Sequence, residues 1–63
     1  MNDADTRAIV LFVLSARHCR TMGFPRENAD RYFPMGRFDE MRDLGVDPDA
    51  IIDEVYKQVP LPV

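Results

Sequence analysis

Sixty-three residues, 46% hydrophobic and 30% charged, describe one small globular domain: too short for a second core and too apolar for a chain that stays disordered. The net charge of −3 hides a division, because residues 39–63 carry seven acids against two bases, whereas the first 38 residues carry six arginines against four acids. A single cysteine, Cys19, excludes an internal disulfide, and the apolar run Ala8–Leu14 falls far short of the roughly 20 residues a membrane helix needs. That run follows Asp3 and Asp5 instead of a basic leader, so no export signal is read and a reducing, cytoplasmic setting is expected.

The first predicted element is a long helix. Asp3 is placed to cap it, Asp5 to complement its first turn, and Gly23 to close it after about Met22, with Phe24 folding back onto the last turn. On this helix Ile9, Phe12, Val13, Ala16 and Cys19 would face a core, and Leu11 and Leu14 also require cover. The β-branched run from Ile9 to Val13 would equally suit a buried strand, but the length of the segment and its caps favour the helix. Ser15, His18 and Cys19 fall within a turn and a half, which invites a nucleophile-and-base reading. Adjacent helical side chains diverge by about 100°, however, and no carboxylate lies nearby in sequence to orient the imidazole. A buried Cys19 beside a surface His18 is expected, and no enzyme.

Pro25 opens a short second helix in which Ala29, Tyr32 and Phe33 share a face until Pro34 stops it. Phe38, Met41 and Leu44 form a third, ended by Gly45 as Gly23 ends the first. Asp47, Pro48 and Asp49 then read as cap, first helical residue and first-turn acid of a fourth, with Ile51, Ile52, Val55, Tyr56 and Val59 on its apolar face. Residues 60–63 read as an extended surface tail. The expected fold is all-α: residues 1–63 as one domain, a long N-terminal helix packed by about three shorter ones.

No cofactor or metal is expected. Asp47, Asp49 and Asp53 suggest a calcium loop only until Ile51 and Ile52 occupy its middle without the required glycine. A helix-turn-helix reading of the last two helices would bring Asp49, Asp53 and Glu54 against phosphate, so direct nucleic-acid binding is not expected either. The strongest surface signal is the acidic row Asp39, Glu40, Asp43, Asp47, Asp49, Asp53 and Glu54. It is either a solvated face or a site for a basic partner protein, with nucleic-acid-binding complexes among the candidates. A short, acidic, cysteine-poor chain without a catalytic constellation resembles, in format, the small phage-encoded inhibitors of the anti-CRISPR type, which implies a non-enzymatic inhibitor blocking a basic groove.

A second resemblance is local. Met22-Gly23-Phe24-Pro25-Arg26-Glu27-Asn28-Ala29 resembles the loop and helix start of ubiquitin-associated domains, which implies that Met22 and Phe24 touch a partner. Pro34 departs from that family by shortening the next helix. The competing expectation from cap chemistry is that Met22 and Phe24 close the long helix and enter the core. A third possibility is a homodimer, because Leu11 or Leu14 would lack cover in so small a chain.

Overall fold

The computed structural model describes residues 2–60, and among them there are helices and no strands. In chain order these are α1 (Asp3–Thr21), a 3-10 helix (Arg26–Arg31), α2 (Arg37–Asp43) and α3 (Pro48–Gln58). The β-branched run of α1 is therefore helical. Its cap is Asn2 and not Asp3: the Asn2 Oδ1 accepts from the Asp5 N–H at 2.8 Å, so the helix begins one residue earlier than expected and Asp3 joins Asp5 in the first turn.

Two turns share one device. At the end of α1 the Phe24 N–H reaches the Cys19 carbonyl at 3.3 Å and the Gly23 N–H reaches that of Arg20 at 3.0 Å. At the end of α2 the corresponding bonds run from Val46 to Met41 at 2.9 Å and from Gly45 to Arg42 at 3.0 Å. Both glycines sit at positive φ, 85° and 80°, which a side chain would strain. Between these turns, the segment opened by Pro25 winds as a 3-10 helix. Its N–H groups bond three residues back, from Asn28 to Pro25 and from Tyr32 to Ala29, both at 3.0 Å. Eight residues held between two prolines leave little room for α-helical propagation, and Pro34 also disfavours an α conformation at Phe33.

The main packing is of α3 along α1, with the 3-10 helix and α2 closing one side. The core joins Phe12, Ala16 and Cys19 of α1 to Ala29, Phe33, Met41, Ile52, Val55 and Tyr56, with Ile9, Val13 and Ile51 partly buried against it. Phe12 is the hub of the aromatic part. Its ring stacks on Phe33 at 4.6 Å and meets Phe38 edge-on at 5.7 Å. Leu11 and Leu14 do not find the cover they require and stay half-exposed. Pro60 is exposed and non-helical; the rest of the expected tail lies outside the described residues.

α3 depends on a local cap. The Asp47 Oδ1 accepts from the N–H groups of Asp49 and Ala50 at 3.0 and 3.3 Å, and Pro48, which has no N–H to satisfy, takes the first helical position. Asp47→Ala should cost about 1 kcal/mol, lowering the thermal midpoint by roughly 4–8 °C in a domain of this size. Asp47→Asn should retain most of the stability. Melts followed by circular dichroism would check both, and equal midpoints for wild type and the alanine variant would discount the cap.

Candidate functional site: an apolar groove edged by acids

The fold does not leave the acidic row uncompensated. Arg26, from the basic half of the sequence, reaches across to α3, where its Nε donates to Asp53 at 2.5 Å and its Nη2 lies 3.4 Å from Asp49. Within α2 and at its border, Arg37 pairs with Glu40 at 3.1 Å and Arg42 with Asp39 at 3.3 Å, each three residues apart. Four of the seven carboxylates thus meet the chain's own guanidinium groups. Burial works against the charge of Arg26, yet the carboxylates of Asp53 and Asp49 hold its pKa above the ordinary arginine value. Asp43, Asp47 and Glu54 have no ion-pair partner among the described residues. Glu54 accepts instead from the Gln58 amide at 2.7 Å, a neutral contact that leaves its charge in place.

Two of those three acids border one groove. Along α3 the positions Asp47, Ala50, Ile51, Glu54, Val55 and Gln58 follow helical spacing and form one stripe. Opposite them stand Val13 of α1 and Val46 of the turn before α3, and the shallow, solvent-open groove between offers about 440 Å³. Its floor is aliphatic, while its polar edge is supplied by Asp47, Glu54 and Gln58. Sequence reading placed Asp47 and Glu54 in a candidate site but missed the apolar floor. The stripe on α3 was visible as spacing; Val13 and Val46 join it only when α1 packs alongside.

The Met-Gly-Phe loop stays at the surface. Met22 is 61% exposed and Phe24 38% exposed, so neither enters the core as cap chemistry had led one to expect. The turn itself satisfies the end of α1 through backbone bonds, which leaves the side chains free to point outward; the Phe24 ring packs on Tyr32 at 5.4 Å.

Cys19 is buried and His18 exposed. The thiol lies 3.2 Å from the Tyr56 hydroxyl, which donates in turn to the Phe24 carbonyl at 2.7 Å. With the phenolic hydrogen committed to Phe24, the thiol is the donor to Tyr56. Burial, reinforced by the bond from Cys19, pushes the Tyr56 phenol up to about 12. Arg20 covers the ring from 4.9 Å and donates to the Val59 carbonyl at 2.9 Å. This network ties the end of α1 to α3 and leaves no free base beside the sulfur. Among the described residues no three His, Cys, Asp or Glu side chains converge as metal ligands, and no helix is long and apolar enough to cross a membrane.

The fold and groove define a small all-α protein with an acid-edged apolar surface. Comparison of the chain with protein-family models, with curated proteins and with solved structures finds no match.

Proposed function

We propose that this protein is a non-enzymatic binding module that takes a basic, apolar-faced helical segment of a partner protein into the groove between α1 and α3. The observation that supports this reading is the placement of Asp47 and Glu54, two turns apart and free of arginine partners among the described residues, along an aliphatic floor of Val13, Val46, Ala50 and Ile51. Apolar side chains of a bound helix would meet the floor, and lysines or arginines flanking them would reach the two carboxylates. This narrows the acidic-face idea, since Asp39, Glu40, Asp49 and Asp53 are engaged within the chain. Nucleic-acid-binding proteins are rich in such basic segments. Held by this module, a segment of that kind could not contact phosphate, which is how the anti-CRISPR-type action suggested by the format would arise.

The test uses two synthetic amphipathic peptides of equal length, one Leu/Lys and one Leu/Glu, titrated into labelled protein while amide resonances are followed. The Leu/Lys peptide should move the signals of Val13, Ala50 and Ile51, weaken as ionic strength rises to about 0.5 M, and bind about tenfold less tightly to Glu54→Lys. Equal binding of the acidic peptide, or shifts confined to other surfaces, would refute the groove. A second reading is favoured by the exposure of Met22 and Phe24, the residues of the ubiquitin-associated-like loop. In that mode Met22→Ala and Phe24→Ala abolish binding of monoubiquitin, whereas Glu54→Lys leaves it intact.

A further inference from the structure

A different face of α1 leaves apolar side chains uncovered. Val10, Leu11 and Leu14 are 49%, 49% and 51% exposed, an apolar strip left half open, with Leu11 at its edge bordering a hollow shared with Phe33, Pro34 and Arg37. On the same outward face, Asp3 lies seven residues before Val10 and Arg17 seven after it, two turns in each direction. Both charged side chains are exposed, and neither has an ion-pair partner among the described residues.

We infer that this strip is covered by a second copy of the chain, with the two α1 helices antiparallel and the two-fold axis at Val10. The symmetry of the pattern selects this arrangement. In the antiparallel register centred on Val10, Asp3 of each copy stands opposite Arg17 of the other, so two opposite-charge pairs flank the apolar centre. A parallel pairing sets Asp3 against Asp3 and Arg17 against Arg17. Shifting the antiparallel axis to lie between Val10 and Leu14 sets Arg7 against Arg17. Both alternatives place like charges together, which argues against them as strongly as the favoured register argues for itself. The overlap from Asp3 to Arg17 covers roughly 21 Å of a helix about 10 Å across. That footprint, about 200 Å² per copy, falls below the roughly 800 Å² per partner of a standard interface, so the dimer is weak and transient, with a dissociation constant on the order of 1 mM.

Sedimentation equilibrium over about 10 µM to 1 mM reads this directly. The mass should rise from 7.3 kDa toward twice that value with concentration. Leu14→Glu, a substitution at an exposed position, should hold the chain at monomer mass while its circular dichroism stays helical. Asp3→Lys and Arg17→Asp, each alone, should weaken self-association about tenfold or more, because each sets two like-charge pairs across the axis. Mixing the two single variants, or combining both changes in one chain, should restore it. A monomer mass at the highest concentration, a dimer indifferent to Leu14→Glu, or single variants that fail to complement each other would each overturn the proposal.

Discussion

Replacing Phe12 by alanine is expected to unfold most of the protein at ordinary temperature. The side chain is 2% exposed, stacks on Phe33 and meets the edge of Phe38, so its removal deletes the piece that holds α1 against both α2 and the segment following the 3-10 helix. Truncating a buried phenylalanine costs about 3–5 kcal/mol through lost transfer energy and the cavity left behind. A chain of this length has a total stability of roughly 3–9 kcal/mol at the usual value per residue. The loss is therefore comparable with everything the fold has to spare. Phe12→Leu refills much of the volume and should cost only about 1–2 kcal/mol. Urea unfolding of the three proteins would separate these outcomes, and a loss below about 1 kcal/mol for alanine would mean that the aromatic cluster is not the centre of the core.

The second large effect should come from Tyr56→Phe. The ring remains, but the part-buried Phe24 carbonyl loses its donor and the fully buried Cys19 thiol its acceptor, at a cost of about 1–3 kcal/mol. The same hydroxyl makes stability depend on alkaline pH. In the unfolded chain a tyrosine ionises near 10, whereas burial first, and then the bond from Cys19, hold the folded phenol neutral up to about 12. The folded state thus keeps a proton that the unfolded state releases. Its contribution is complete below pH 10 and is lost as pH rises from 10 through about 12, by about 3 kcal/mol in all. Tyr56→Phe should lack this component, so the stability gap between wild type and variant should narrow across that window. A gap that stays constant from pH 9 to about 12 would place the phenol in water.

The turns and helix ends were the most legible part of this chain. Gly23 and Gly45 take the left-handed conformation their positions implied, and Asp47 with Pro48 starts α3 as its residue types require. These features are set by neighbours within five residues, so local chemistry decides them. The expected start of α1 was off by a single residue because Asn2 and Asp3 are both good caps, and only one can be the last non-helical residue. The segment after Pro25 took 3-10 geometry because the eight residues between Pro25 and Pro34 leave little room for α-helical propagation, while Ala29 and Phe33 still pack into the core.

The candidate site was legible only in part. The pairs Arg37–Glu40 and Asp39–Arg42 follow from spacing on one helix and could have been discounted from the acidic row at the outset. Arg26 could not, since 27 residues separate it from Asp53 and nothing local to either predicts the meeting. The aliphatic floor of the groove has the same character, because Val13 and Ile51 become neighbours only when α1 and α3 pack.

By itself, then, the order of residues determined that this protein is helical, where its helices begin and end to within a residue or two, and which side chains are apolar enough to be drawn inward. Tertiary structure alone decided which acids remain unpaired and which apolar residues stay uncovered. A cap or a turn is satisfied by atoms a few bonds away. The partner of a surface charge, or the cover over a leucine, depends on which distant segment the shared core brings alongside.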